Sequence, residues 1–303
     1  MRTLFARLLA VGALGLFSLS AFGAPLKVLV VTTTTGFRHS SIATGEKVLA
    51  EIAKHSGAFT VDFILQPAGK PANLNQNASD EEKAAFVAAD TKWVENALKP
   101  ALEKLSPASL ENYDAVAFVN TSGTLPIPDM NGFLNWIKSG GAFIGIHAAS
   151  DTFHDSPEFI AMLGGEFASH GKQVGVVYLN LDLSHPATAH LGKSWTIEQE
   201  EIYLFKNYDP AKVHDLLALD KHPENNSPGH FPLSWCKLYG KGRVFYTSLG
   251  HREDIWDADP TIKDRKNAPE ISLAFQAHIL GGIKWALKLA EAPTVTAPAG
   301  SIP

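Results

Sequence analysis

The sequence predicts a single α/β domain built on a doubly wound, mostly parallel β-sheet. Several short runs are almost wholly apolar, as in strands that are buried on both faces, and segments with helix-start signals lie between them. This alternation is typical of parallel sheets with right-handed crossovers. The chain has 303 residues, 45% of them hydrophobic and 19% charged, which is enough for one large core.

The first half of the chain contains the most regular predicted elements. The run over 26–31 is the first strand, and Ser40 or Ser41 can cap a helix over 43–52. Ser79 and Glu82 have the spacing of a capping box, which predicts a helix over 80–105. The other elements of this half are strands over 59–65, 113–119 and 142–146, a loop over 66–78, and a helix from Pro128 or Asp129 to about Gly140.

The second half is less regular. Strands are predicted over 173–183, 212–219 and 243–248, and a long helix is predicted over 270–290. Gly281 and Gly282 are expected to weaken the middle of that helix. The chain shows no internal repeat and no dividing linker, so one domain over 24–291 is expected. The Pro- and Ala-rich residues 292–303 are predicted to form a disordered tail.

The first 23 residues have the order of a secretory signal peptide. Arg2 and Arg7 form the positive end, an apolar run over 8–22 follows, and small residues stand at Ala21 and Gly23. A membrane anchor is the alternative, but the run is shorter than the ~18 residues that a span requires. Cleavage after Gly23 would give a periplasmic or secreted protein with no membrane partner.

Composition excludes several classes of function. Acidic residues number 31 against 26 basic ones, the net charge is -5, and no basic run exceeds two residues. A nucleic-acid partner is therefore not expected, because binding phosphates needs clustered Lys and Arg. Cys236 is the single cysteine, which excludes an intrachain disulfide and a cysteine-based metal site. No serine-hydrolase elbow, Walker loop or dinucleotide fingerprint occurs.

Polar side chains follow four of the predicted strands. These segments are 32–39 (TTTTGFRH), 120–123 (NTSG), 147–151 (HAASD) and 249–252 (LGHR). Ligands of open α/β sheets bind beyond the carboxyl ends of the strands, so these segments predict one polar cleft.

His147 stands at a strand end between small residues, as the nucleophile does in an elbow turn. An imidazole at this position indicates a general base, a general acid or a metal ligand. The alternative is a histidine that caps a helix or bonds to backbone carbonyls. Asp151 and His154 complete an H-x3-D-x2-H pattern that can hold zinc or another divalent metal, and His170 can be a fourth ligand. Asp151 could instead cap a helix.

Further polar and aromatic residues are candidates for the same cleft. Glu201 belongs to an acidic group with Glu198 and Glu200 and can act as a base or pair with a histidine, although a solvated strand edge is preferred for Glu198. Arg38 and His39 can hold an oxyanion or a sugar hydroxyl. Trp235 and Trp256 can stack on a sugar ring, although most Trp side chains belong to the core. His185 is expected in a turn, and His190, His214, His222 and His230 are expected on the surface.

Five motifs in order give the chain a resemblance to the ThuA-like (trehalose utilisation) family. They are VVTTTTGFRHSSI (30–42), GAFIGIHAASDTF (141–153), GGEFASH (164–170), EEIY (200–203) and GKGRVFYTSLGH (240–251). The resemblance implies a flavodoxin-like fold similar to class I glutamine amidotransferases. It does not imply amidotransferase activity, since His147 stands where those enzymes have cysteine. The positions that it marks are His39, His147, Asp151, His170, Glu201, Tyr203 and His251.

The resemblance also implies a substrate class, namely trehalose, related disaccharides and their 3-keto derivatives. We therefore expect an exported carbohydrate-processing enzyme, a hydrolase or lyase, that uses acid/base chemistry with or without a divalent metal such as zinc. A non-catalytic sugar-binding module and a metal-dependent hydrolase of a non-sugar substrate stay as alternatives. The expected catalytic residues are His147, Glu201 and His39. The expected substrate-binding residues are Arg38, Thr34, Ser122, Tyr203, His251 and Trp256. The expected metal ligands are His147, Asp151, His154 and His170.

Overall fold

The computed structural model describes residues 25–292 and 294 and shows an α/β protein with a large mixed sheet. The predicted signal peptide over 1–23 and most of the predicted tail over 292–303 lie outside the described residues. Within the described part of the chain, no helix combines the length and the apolar character that crossing a bilayer requires.

The strands and helices follow one another along the whole described chain. The strands are β1 (Leu26–Val31), β2 (Phe59–Ile64), β3 (Ala115–Val119), β4 (Ala142–Ile146), β5 (Glu166–His170), β6 (Val174–Asn180), β7 (Ser194–Glu200), β8 (Tyr203–Lys206), β9 (His214–Lys221), β10 (Pro228–Tyr239) and β11 (Gly242–Thr247). The α-helices are α1 (Ile42–Ser56), α2 (Asp80–Trp93), α3 (Lys99–Leu102), α4 (Pro107–Leu110), α5 (Met130–Ser139), α6 (Pro157–Leu163), α7 (Glu253–Trp256) and α8 (Pro269–Ala286).

The parallel part of the sheet has the order β2-β1-β3-β4-β11. Every residue of β3 and β4 is buried, which explains their continuous apolar runs. In β1, Val28 and Val30 pack into a core with α1 and α8, whereas Leu29 and Val31 pack into a second core with α5 and α6. Helices therefore cover both faces of the sheet, and the predicted doubly wound α/β class is confirmed.

An antiparallel part extends this sheet in the order β10-β9-β6-β7, and β5 pairs with β8 in a separate two-stranded sheet. The predicted strands over 173–183 and 212–219 correspond to β6 and β9. Strands β5, β7, β8 and β10 were not predicted. The long strand β10 contains two prolines and three register shifts against β9, which interrupt the alternation of polar and apolar residues that a strand prediction needs.

The helix predicted over 80–105 is interrupted. Its capping box is present, since the Glu82 N–H donates to the Ser79 hydroxyl and Glu82 accepts from the Ser79 N–H. After α2 the chain forms a π-helical turn over Val94–Leu98. Pro100 explains this interruption, because it lacks an N–H and its ring crowds the carbonyl group four residues earlier.

Helix α8 ends at Ala286, earlier than predicted. Its two central glycines permit close packing instead of merely weakening the helix. A Cβ atom on Gly281 would lie 2.1 Å from the Pro186 carbonyl oxygen, and one on Gly282 would lie 2.4 Å from the Phe245 ring. Glycine is therefore required at position 282 for α8 to approach β11 this closely, and at position 281 for α8 to approach the loop between β6 and β7.

Candidate functional site

Three histidines and one glutamate, here called the histidine cluster, meet at the carboxyl edge of the parallel strands. They are His39, His147, Glu201 and His251, and their ligand atoms all lie within 4.8 Å of one another. His39 follows β1, His147 directly follows β4, and His251 follows β11. Glu201 comes from the antiparallel part of the fold, between β7 and β8.

The turn after β4 holds His147 in one orientation. The residue has a φ of +50°, in the left-handed region, and its side chain is wholly buried. Its Nδ1 lies 2.6 Å from the carbonyl oxygen of Ser248, so Nδ1 carries the proton and donates it. The lone pair of Nε2 therefore points at the rest of the histidine cluster. Such a backbone partner is the usual means of fixing the tautomer of a metal-binding histidine.

The loop after β11 is held by a buried carboxylate and a shared carbonyl. Glu200 accepts hydrogen bonds from the backbone N–H groups of Gly250 and His251, both at 2.8 Å. The carbonyl oxygen of Gly250 accepts from Ser41, Asn120 and Trp256 at 3.0, 3.1 and 2.9 Å. These contacts fix His251 by its backbone and leave its imidazole to the histidine cluster.

The spacing of donor atoms in the histidine cluster suits a tetrahedral metal ion. Nε2 of His147 lies 3.2 Å from Nε2 of His39 and 3.6 Å from Oε2 of Glu201, and that oxygen lies 3.1 Å from Nδ1 of His251. Ligands bound tetrahedrally to zinc at its usual bond lengths lie about 3.4 Å apart. Nδ1 of His251 is buried and has no hydrogen bond of acceptable angle among the described residues, despite its short distance to Glu201.

The electrostatics of the histidine cluster favour neutral imidazoles at His39 and His147 beside a charged carboxylate. Burial, followed by the neighbouring imidazoles, lowers the pKa of His39 to about 3, and burial also lowers the pKa of His147. Burial opposes a charge on Glu201, but its close contacts with the imidazoles of His147 and His251 hold its pKa well below the usual range. Burial similarly opposes a charge on His251, but Glu201 and Glu200 raise its pKa. The neutral forms favoured for His39 and His147 and the ionised carboxylate of Glu201 are protonation states that metal ligands need, whereas a metal ion would displace a proton from His251.

Three further side chains border the histidine cluster. Nδ1 of His170 lies 3.1 Å from Oε1 of Glu201, and 43% of the His170 side chain is exposed. Tyr203 stacks on His147 with ring centroids 4.3 Å apart. Phe37 is 63% exposed and its ring meets His39 edge-on at 4.8 Å. An exposed imidazole and an exposed aromatic ring therefore lie beside a buried group of metal-binding atoms.

The expected metal set of His147, Asp151, His154 and His170 is corrected by the structure. The segment His147–Asp151 is a 3₁₀-helix and not the α-helix that would align the pattern. His154 lies between two carboxylates, 2.7 Å from Asp151 and 2.5 Å from Glu166. We call Asp151, His154 and Glu166 the His154 ion-pair group. His170 reaches Glu201 but does not belong to the four-residue histidine cluster.

The expected stacking of Trp256 or Trp235 on a sugar is also corrected, because both indoles are wholly buried. Trp256 packs on Gly45 and Phe275 and holds the loop of His251. Trp235 donates to the Leu163 carbonyl oxygen within the core.

The remaining expected substrate-binding residues mainly hold the loop over 32–39. Arg38 donates to the Thr32 carbonyl oxygen at 2.9 Å, and the Thr34 N–H donates to the Gln66 side chain at 2.8 Å. The Ser122 hydroxyl donates to the Phe37 carbonyl oxygen at 2.6 Å. The sequence analysis missed Phe37 and the role of Glu200, although both adjoin residues that it singled out.

The fold and the site together define an α/β protein with a histidine-rich ligand site at the carboxyl edge of its parallel strands. A search of curated proteins gave no match. Among solved structures, a ThuA-like protein from Parabacteroides merdae ATCC 43184 is similar, with 22% identity, a TM-score of 0.59, and coverage of 92% of this chain and 94% of that one. Another ThuA-like protein, from Bacteroides uniformis ATCC 8492, has 18% identity, a TM-score of 0.54, and coverage of 87% and 92%. Both likenesses concern the flavodoxin-like fold.

The family model described as "Trehalose utilisation" matches residues 27–286. The chain therefore belongs to the ThuA family, and the family resemblance read from its motifs is confirmed.

Proposed function

We propose that this protein is a carbohydrate-processing enzyme that acts on a trehalose-type disaccharide or its 3-keto derivative, with a divalent metal held by the histidine cluster. The observation that carries the proposal is the convergence of His39, His147, His251 and Glu201. Family membership supports the substrate class through the family's description. Zinc suits a donor set of three imidazoles and one carboxylate.

A metal ion in this site would supply a Lewis acid, and it would polarise a carbonyl or hydroxyl oxygen of the sugar only by adding a fifth ligand or releasing one of the four residues. The chain's own residues prepare the site for it. Ser248 fixes the tautomer of His147, and Glu200 fixes the loop of His251. The deep burial of the histidine cluster makes His147 a better ligand than base, because a base must reach the substrate.

His170 is the best-placed general base. Its Nδ1 lies near two acceptors, Glu201 at 3.1 Å and the Gly171 carbonyl oxygen at 2.9 Å, so that atom carries the proton. Nε2 is then an acceptor on a half-exposed ring. Glu201 orients His170 and is also one of the four residues of the histidine cluster. The same carboxylate therefore contacts both the general base and the proposed metal ligands.

The chemistry that suits this arrangement is an elimination. A 3-keto group acidifies the adjacent C2–H, and Nε2 of His170 takes that proton. The electron pair of the C–H bond forms the C1–C2 double bond, the C1–O glycosidic bond breaks, and the departing oxygen takes a proton from solvent. The exposed ring of Phe37 gives the apolar face of a sugar a surface beside His39.

We also propose that the protein is exported, on the basis of the signal-peptide pattern over 1–23. A periplasmic or secreted enzyme would meet its sugar outside the cytoplasm. Equal amounts of the full chain in the cytoplasmic and exported fractions of expressing cells would contradict this proposal.

The decisive experiment is a substrate screen of the protein lacking residues 1–23, with and without a chelator, across trehalose and other disaccharides and their 3-keto forms. We expect turnover of a 3-keto disaccharide that chelation abolishes and excess zinc restores. His170→Asn should lower kcat by 10²-fold or more, whereas His55→Asn, an exposed histidine of α1, should not. Tight binding without turnover would favour a sugar-binding module, and unchanged turnover in His170→Asn would reject the assigned base.

A further inference from the structure

We propose that a cavity lined by residues of α6, β8 and β10 binds a small ligand that carries an oxyanion, a phosphate or carboxylate group, on a sugar-sized body. The cavity has a volume of about 590 Å³, and Lys206, Lys212 and Lys237 line it. None of the four residues of the histidine cluster lines it. The proposed ligand site is therefore separate from the candidate active site.

Three ammonium groups from different parts of the fold converge on this cavity. Lys206 ends β8, Lys212 lies in the following loop, and Lys237 lies near the end of β10. Burial and then the charge of Lys212 lower the pKa of Lys237, and the charge of Asp209 offsets only part of this effect. The whole chain carries a net charge of -5, so a local excess of positive charge does not follow from composition.

The carboxylates in the cavity wall already have partners. Glu166 lies 3.0 Å from Lys206, 2.6 Å from the Asn207 amide and 2.5 Å from His154. Asp209 pairs with Lys212 at 3.1 Å and accepts from the Ala211 N–H at 3.0 Å.

Lys237 is left without a carboxylate partner. Among the described residues its ammonium group has one hydrogen-bond partner, the carbonyl oxygen of Ala161 at 2.7 Å. An oxyanion would give Lys237 the charged partner that it lacks, and charge-assisted hydrogen bonds of this kind are short and strong.

The size and lining of the cavity indicate more than a bare ion. Cavities of ~300–1,000 Å³ are typical of small-molecule sites, and a free phosphate would fill only part of this one. Pro157, Ile160 and Ala161 of α6 add an apolar part to the wall. A sugar phosphate or a sugar carboxylate matches both the lysine part and the apolar part of the cavity wall. Its oxyanion would meet the lysine side chains, and the apolar face of its sugar would meet α6.

The test is a calorimetric titration of the protein with glucose 6-phosphate, glucuronate, inorganic phosphate and uncharged glucose. We expect one of the two sugar oxyanions to bind at least tenfold more tightly than glucose. Lys237→Gln should weaken that binding at least tenfold, and Lys212→Gln/Lys237→Gln should remove it. Lys193→Gln, an exposed lysine outside the cavity, should have no effect. His251→Ala should also leave it unchanged, which separates this site from the histidine cluster.

Each contrary outcome rejects the proposal. If neither sugar oxyanion binds more tightly than glucose, or if the double lysine variant binds as the native protein does, the cavity is not an oxyanion site. Binding of inorganic phosphate alone would mean an adventitious ion only. Binding that disappears in His251→Ala but persists in the lysine variants would place the ligand at the histidine cluster.

Discussion

The histidine cluster and the His154 ion-pair group use the same residue types with opposite results. The histidine cluster has three imidazoles for one carboxylate, and its four ligand atoms converge. The His154 ion-pair group has one imidazole for two carboxylates, and each nitrogen of His154 meets its own carboxylate. The His154 ion-pair group has a structural role, because both nitrogens of its imidazole already have partners. The histidine cluster forms a ligand site, because its nitrogen atoms converge and, among the described residues, Nδ1 of His251 lacks a hydrogen-bond partner.

Backbone contacts produce this difference. Ser248 turns the free nitrogen of His147 inward, and Glu200 holds the loop of His251 by two N–H groups. In the His154 ion-pair group, Lys206 and Asn207 complete the partners of Glu166, so both oxygens of this carboxylate are engaged and neither is left for a metal ion. Substitutions in the histidine cluster should therefore change metal binding, whereas substitutions in the His154 ion-pair group should change stability.

The largest expected effect is on metal binding by the histidine cluster. His147→Ala removes a ligand whose tautomer is fixed, so zinc affinity should fall by more than ~100-fold, beyond the loss expected for an outer-shell change. Isothermal titration with zinc measures the affinity. The matched change His154→Ala should leave it within a factor of two or three, and an equal loss in both variants would contradict the distinction between the two groups.

The next effect concerns the buried Glu200. Burial raises its pKa from the ordinary 4.5 to about 7. Between these two pH values Glu200 is therefore protonated in the native protein and ionised in the unfolded chain. Stability therefore falls as pH rises from 4.5 to 7, and Glu200→Gln should escape this loss. Without metal, the variant should gain on the order of 2 kcal/mol relative to the native protein between pH 5 and pH 8.

Urea unfolding at a series of pH values measures this gain. Glu198→Gln is the matched control, since Glu198 is an exposed glutamate of the same strand, β7. A stability difference for Glu200→Gln that stays constant from pH 5 to pH 8 would contradict the assigned buried charge.

A smaller effect of pH is expected in the His154 ion-pair group. Burial opposes the charge of His154, but its contacts with Glu166 and Asp151 outweigh burial and raise its pKa, while Lys206 faces the same Glu166. The pair therefore contributes stability below the unfolded pKa of ~6.5, and this contribution is lost as pH rises through the raised value. His154→Gln should cost at most about 1 kcal/mol at pH 6, because the ring is half-exposed, and less at pH 9. A larger cost at pH 9 would reverse the assigned sign.

The smallest effect is expected at the entrance of the candidate site. Phe37→Ala should raise KM for the sugar several-fold and leave zinc affinity and stability nearly unchanged, because the ring is exposed. Val87→Ala, an exposed apolar residue of α2, is the control for steady-state kinetics. An unchanged KM would remove Phe37 from the substrate site.

The two parts of the fold differ in how much the sequence revealed. The parallel strands are buried on both faces, so their apolar runs and polar ends predict that His39, His147 and His251 meet at one edge of the sheet. The antiparallel part has mixed burial and carries prolines in β10, so its strand pairs were largely missed.

The wrong metal set has a related cause. The H-x3-D-x2-H pattern is local, and it fails because the chain forms a 3₁₀-helix after β4. The observed partners of His147 are His39, 108 residues earlier in the chain, and Glu201, which follows β7. Sequence spacing cannot reveal such contacts, because the order of strands in the sheet creates them.

The most direct test of the central claim is the metal content of the protein purified without an affinity tag from zinc-supplied cells. The account predicts about one tightly held divalent ion per chain, as in a site with four protein ligands, and its loss in His251→Ala while the variant stays folded by circular dichroism. A native protein that holds no ion, or a His251→Ala variant that holds as much as the native protein, would contradict it.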